Sequence, residues 1–370
     1  MNKLLLVLVA MFLIIGLGSC GLRKYNERFD RLYGGFNRVE IENLLEDSLL
    51  NVRALEIDGY GFGFATSNGE IGVQSFTLPS GINSPDTIIF KEIAKKTIQL
   101  KHDSIIPNFR SLSITDTGGF LLGISSPTLL YKASDDSLKL VYKESHPKAF
   151  YDSMDFWNDK EGIAIGDPTD DCMSVIITRD GGETWTKLSC DELPKAKDGE
   201  AAFAASDTNI AIIGEHTWVA TGGKASRILY SPDKGKTWGI YDTPIIQGAA
   251  TTGMYSIDFY NEKHGFAIGG DYTKPNDTLN NKIRTIDGGK TWEVVAQGKG
   301  PGYRSCVQYV PNSNAKGLVA VGFKGIDYSN DYGSTWKHLS DEGFYTIRFL
   351  NDSVAYAAGK GRISKLTFSK

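Results

Sequence analysis

Four cysteines in 370 residues are too few for a disulfide-held scaffold, none is spaced with histidine as a zinc site requires, and HExxH is absent. Neither sign of charge dominates: 40 Lys and Arg stand against 44 Asp and Glu, a net charge of −4, which excludes a strongly basic nucleic-acid binder. Proline is sparse at 12 residues and charged residues reach only 23%, so neither a low-complexity disordered chain nor a coiled coil fits. Beyond residues 4–15 no apolar run is long enough to span a bilayer as a helix. What is abundant is glycine, 41 residues, and aromatic side chains, 11%, the composition of a folded, β-rich body.

Cofactor signals fail on inspection. Residues 235–237 and 289–291 (GKT) imitate the end of a phosphate loop, but the glycine needed five residues earlier is Tyr230 or Arg284. Residues 59–63 (GYGFG) lack the helical pattern that follows a dinucleotide-binding turn. The acids Asp167, Asp170 and Asp171 lack the spacing of a calcium loop and read as solvated. No cofactor and no metal are expected.

Lys3, the apolar run 4–15 and the small residues before Cys20 form a signal peptide. Residues 17–20 (LGSC) resemble the bacterial lipobox, which implies acylation of Cys20, removal of residues 1–19 and a polar tether over 20–35. The expected location is the bacterial cell envelope, with membrane contact through the lipid anchor only. An exported compartment permits disulfides. Cys172 and Cys190 flank the turn at 180–182 almost symmetrically and are expected to pair; Cys306 is left as a buried thiol.

One octapeptide occurs four times: residues 178–185 (TRDGGETW), 231–238 (SPDKGKTW), 285–292 (TIDGGKTW) and 329–336 (SNDYGSTW), with a degenerate fifth at 134–136. Its Asp accepts backbone N–H bonds, its Gly takes a positive φ, its hydroxyls close the loop and its Trp packs beneath, the logic of a tight turn.

A second periodicity reaches further. Seven apolar segments begin near residues 52, 109, 151, 199, 254, 303 and 344 (VRALEI, FRSLSI, YDSMDF, GEAAFA, MYSIDF, YRSCVQ, FYTIRF). Each precedes a small, glycine-rich strand: FGFA at 62–65, FLLG at 120–123, IAIG at 163–166, AIIG at 211–214, FAIG at 266–269, LVAVG at 318–322 and AYAAG at 355–359. A repeat of roughly 40 to 60 residues suits four-stranded propeller blades. The prediction is an all-β, seven-bladed β-propeller over 36–370, a single domain with the octapeptide between the third and fourth strands. The last unit is one strand short, and residues 36–41 (FNRVEI) can supply it, closing the ring. Residues 79–108 exceed what the first blade needs and read as an insertion.

The pattern S/T-x-D-x-G-x-T-W is that of the Asp-box, or bacterial neuraminidase, repeat. With residues 303–309 (YRSCVQY) and 221–227 (TGGKASR), the chain resembles the photosystem II stability/assembly-factor type of Asp-box propeller and, more remotely, sialidases and sortilin. The resemblance covers about 36–370. It implies protein binding and assembly assistance without catalysis, through an arginine-lined face that accepts a peptide or acidic group; the expected partner is a protein or glycan of the envelope, and the chain is expected to be a monomer.

Aligning the inner segments puts Arg53, Arg110, Asp152, Glu200, Tyr255, Arg304 and Tyr345 at equivalent positions near the channel mouth. The residues alone leave open a ligand site or a plug of arginine–carboxylate pairs. Trp218, Lys224 and Arg227 mark a second candidate surface on the loops after the glycine-rich strands. The alternative is a sialidase-like glycoside hydrolase using three of these arginines, a Tyr, Glu200 and Asp152. Against it, the first arginine is followed by Ala54-Leu55 rather than Ile-Pro, and the repeat count is seven rather than six.

Overall fold

The computed structural model describes residues 35–58, 61–75, 96–134 and 137–370. The signal peptide, Cys20, the tether up to residue 34, residues 79–95 of the expected insertion and most of the degenerate turn at 134–136 lie outside the described residues. Among the described residues all regular structure is β-strand, grouped in six antiparallel sheets, four of them four-stranded. This arrangement is consistent with a β-propeller.

The repeat logic is visible in the sheet of Tyr151–Phe156, Gly162–Gly166, Ser174–Thr178 and Thr186–Lys187. Its second strand, GIAIG, is buried throughout, because small residues let neighbouring sheets approach both faces of a central strand. Clusters such as Phe120, Leu122 and Leu130 with Tyr151, Ala164 and Ile176 fill the space between consecutive sheets. Residues 96–99, read as insertion, are the outer strand beside Glu70–Ser75.

The 20-residue strand Arg38–Ile57 belongs to two ladders. Residues 38–46 pair with Lys360–Ser369, Arg38 opposite Ser369, and residues 52–57 pair with Gly61–Thr66.

The four octapeptides share one hydrogen-bond pattern. In 285–292, Thr285 Oγ1 donates to Asp287 Oδ1 at 2.8 Å and accepts from Gly289 N at 2.9 Å; Asp287 accepts from Thr291 N at 3.0 Å and from its hydroxyl at 2.7 Å. Burial opposes ionisation, but these bonds hold Asp180, Asp233, Asp287 and Asp331 below the usual carboxylate range. The glycine is required twice over. Gly289 has φ 83°, and a Cβ there would lie 2.9 Å from Trp218; at Gly182 and Gly333 it would strike Phe120 and Phe266 of the preceding sheet. Each turn thus seats one sheet against the last.

The fourth unit departs from expectation. Its first strand is Ile210–Ile213, read above as the glycine-rich second strand; His216–Ala220 is second, and Glu200–Ala201 pairs only with Gly222–Gly223. The reason lies in residues 204–208, which leave the sheet and bond to an inner segment of each of the other five. Ala204 O accepts from Arg110 Nη1 at 3.0 Å, and Asp207 accepts from Leu112 N at 2.9 Å and Met154 N at 3.4 Å. Ser206 Oγ donates to Ser305 O at 2.6 Å, Thr208 Oγ1 to Ser256 Oγ at 2.7 Å, and Thr346 Oγ1 to Ser206 O at 2.8 Å. Asp207 has φ 61°, a left-handed turn that Asp tolerates. Residues 204–208 thus bond to inner segments of the other five sheets through both main-chain oxygens and the side chains of Ser206, Asp207 and Thr208.

Candidate binding site at the channel mouth

The equivalent positions have a backbone cause. In four inner strands the register skips one residue, and the skipped residues are Arg53, Arg110, Asp152 and Tyr255. A β-bulge places two residues against one, breaks the ladder locally and re-aims the extra side chain. Arg304 and Tyr345 lie just before their strands, Cys306–Tyr309 and Thr346–Phe349.

The structure brings Arg53, Arg110 and Tyr345 together. The Arg53 guanidinium sits 3.9 Å above the Tyr345 ring and donates to Asn51 Oδ1. Arg110 donates to Asn108 Oδ1 at 3.1 Å besides Ala204 O. Among the described residues neither guanidinium forms an ion pair. Burial and then the charge of Arg53 push Arg110 down to about 10, and burial lowers Arg53 as well. Both remain cationic at neutral pH, close enough to repel each other.

Asp152 is fully buried, and neither carboxylate oxygen completes a hydrogen bond. Burial and then the charge of Asp167 push it well up, against Ala204 N–H and Arg110. Asp167 is itself raised to about 6 by burial while it accepts from Ala202 N at 2.8 Å.

Several expected site residues are engaged elsewhere. Glu200 is buried, bonded to both Nε and Nη2 of Arg227 and to Thr221 Oγ1 at 2.7 Å; Arg227 is a 7% exposed internal partner rather than a loop-face group. Arg304 turns to Asp327 in its own sheet, 2.7 Å from Nε and 2.6 Å from Nη2. Lys224 forms an exposed pair with Asp198 at 3.0 Å, an interaction worth little in water. Trp218 is 1% exposed: it stacks on Phe259 at 3.7 Å and donates Nε1 to Gly288 O at 2.8 Å. It is the fourth unit's counterpart of Phe120 and Phe266, seating the next octapeptide. Glu200 and Arg304, which the sialidase-like alternative would use, are thus each paired away from Arg53 and Arg110.

Cys172 and Cys190 form a disulfide with Cα atoms 5.4 Å apart, and Cys306 is a buried free thiol. Among the described residues no group of three or more His, Cys, Asp or Glu side chains is placed to hold a metal ion.

The mouth also contains aromatic residues absent from the sequence reading of the site. Phe203 stacks on Tyr255 at 4.1 Å, Tyr255 meets Tyr303 edge-on at 4.8 Å, and Tyr303 meets Phe323 at 5.4 Å. Phe323 is the more legible signal, a lone aromatic in the loop 322–325 (GFKG) after a glycine-rich strand.

No family model matches the chain, and no curated protein matches it. Solved structures do. YCF48 bound to D1 peptide aligns with TM-score 0.60 at 13% identity, covering 90% of this chain and 96% of that one. The RRP9 WD40 repeats align at 0.57 and 11% identity, covering 90% and 98%. U3-55K aligns at 0.57 and 12%, covering 89% and 98%. At such identities the likeness is one of fold: the chain has the architecture of a β-propeller.

Proposed function

We propose that the protein is a non-catalytic binding scaffold of the bacterial envelope, a seven-bladed Asp-box propeller that holds an anionic segment of a protein partner at Arg53 and Arg110. The observation that carries this reading is the pair of adjacent, half-buried guanidiniums that form no ion pair among the described residues, the buried Asp152 acting on Arg110 only from beyond ion-pair distance. Two like charges held together in a partly desolvated mouth gain most from an incoming carboxylate, which either can bind in bidentate fashion. A structural neighbour solved with a peptide supports a protein partner.

Dividing the seven-stranded sheet at Arg38–Ile57, whose two ladders give four strands to each unit, supports a count of seven blades. The pairing of residues 38–46 with Lys360–Ser369 supports closure of the ring by the chain's two ends. The shared hydrogen-bond pattern of the octapeptides supports the Asp-box assignment. The signal sequence 1–19, acylated Cys20 and tether 20–35 supply the lipid anchor, and 36–370 forms one monomeric domain. Nothing in the site favours the glycoside-hydrolase or glycan-binding alternatives, because Glu200 and Arg304 are committed to internal ion pairs.

The test is affinity capture from solubilised envelope using residues 21–370 and the double variant Arg53→Gln/Arg110→Gln. A partner enriched by the native protein and lost from an equally folded double variant is the expected result. Equal capture by both overturns the assignment of the site.

A further inference from the structure

Five aromatic rings, Phe203, Tyr255, Tyr272, Tyr303 and Phe323, form one cluster that reaches the arginine pair through Tyr303. Tyr255 and Tyr303 are 3% and 5% exposed, whereas Tyr272 and Phe323, which flank them, are 48% and 43% exposed. Tyr272 meets both Tyr255 and Tyr303 at 6.4 Å, edge-on. Arg53 and Tyr303 are close enough that the guanidinium opposes the upward shift of the Tyr303 phenol, so the rings begin where the cationic pair ends. Tyr272 and Phe323 both rest on Tyr303, so their exposed surfaces belong to one aromatic cluster rather than being scattered singly.

We infer that this cluster is a second subsite of the same mouth, taking an apolar or aromatic side chain of a peptide whose carboxylate lies on Arg53 and Arg110. The inference rests on the reading of the mouth as an anion-binding site. The rings are turned against one another, Tyr255 to Tyr303 by 86° and Tyr272 to Tyr303 by 68°, while the exposed Tyr272 and Phe323 both rest on Tyr303. Charge points to a peptide as the occupant of this cluster. Lys274 and Lys324, exposed in the same loops as Tyr272 and Phe323, extend the positive field around it and favour a segment that is acidic as well as apolar.

The experiment uses residues 21–370 and a set of fluorescein-labelled peptides. One glutamate and one phenylalanine are placed at every separation along an otherwise Gly/Ser chain, with matched peptides lacking one or the other. Fluorescence polarisation is read for the native protein, Phe323→Ala, Tyr272→Ala and Arg53→Gln. Expected are a preferred separation, at least a tenfold loss on removing the phenylalanine, and a similar loss in Phe323→Ala that leaves the glutamate-only peptide unaffected, about 1.4 kcal/mol. Arg53→Gln weakens every glutamate-bearing peptide. Glutamate-only peptides that bind as well as the paired ones, still depending on Arg53, overturn the aromatic subsite and leave the anion site standing. Absence of binding by every peptide, or tighter binding of an anionic oligosaccharide, overturns both.

Discussion

The second and fifth residues of the inner segments stand at opposite ends of the same short strands and use polar chemistry in opposite ways. At or beside the fifth position, Ser113, Asp258, Gln308 and Arg348 each reach the next inner segment. Ser113 Oγ donates to Met154 O at 3.0 Å, Asp258 Oδ2 accepts from Tyr309 N at 2.6 Å, Gln308 Oε1 accepts from Phe349 N at 3.1 Å, and Arg348 Nε donates to Glu56 Oε1 at 2.7 Å. Arg348 Nη2 also donates to Asp207 O at 3.2 Å, tying this belt to residues 204–208. At the second position Arg53, Arg110, Asp152 and Tyr255 stand on bulges, and among the described residues neither Arg53 nor Arg110 forms an ion pair, although the buried Asp152 acts on Arg110. One end is closed upon itself; the other is left with affinity to spare. A regular ladder puts polar groups where neighbours satisfy them, and a bulge takes them out of that exchange.

The comparison breaks most visibly at Arg348. Replacing Arg348 with Met strands Glu56 in the belt and should cost about 3–5 kcal/mol, read as a lower denaturant midpoint. A midpoint within experimental error of the native one would show that the belt is not a structural tie. A smaller effect is expected from pH. Burial raises Asp155 and Asp258 to about 7, above the unfolded value near 4. A folded acid that binds its proton more tightly than the unfolded one adds stability below about pH 4, and that stability is lost as pH rises toward 7. Thermal melts should therefore fall between pH 5 and 7.5, and Asp258→Asn should flatten the slope; a rise over that window contradicts the assignment. The smallest effect belongs to the mouth. Arg53→Gln gives up one cation–π contact and should move stability by less than about 1 kcal/mol, checked by the same denaturant curves.

What the sequence makes legible follows the range of the interactions. The octapeptide turns are local: Thr285, Asp287 and Thr291 bond within seven residues, so spacing alone specifies them. The mouth arginines are legible because equivalent positions recur in each repeat. The fourth unit is not, because residues 199–204 imitate the apolar pattern while the contacts that draw 204–208 into the centre come from residues up to 141 positions away. Trp218 misleads for a related reason. Its partner Gly288 lies 70 residues on, so nothing near it distinguishes a seat for the next turn from an exposed ligand platform. Glu200 and Arg227 carry the right chemistry for a site, and only the fold shows that they neutralise each other.

The ladder between Arg38 and Ser369 also sets a direction. Gly35 packs against Tyr328 and Asn330 at the octapeptide end, whereas Asn51, two residues before Arg53, stands opposite Lys360 at the other end of that strand. The ten residues of the partner strand Lys360–Ser369 span about 30 Å between these two ends. The polypeptide thus enters the ring on the side away from the arginines. Gly35, the first described residue, and Arg53 stand at opposite ends of one sheet, so a label attached at Gly35 reports on the octapeptide end and leaves the arginine end unmarked.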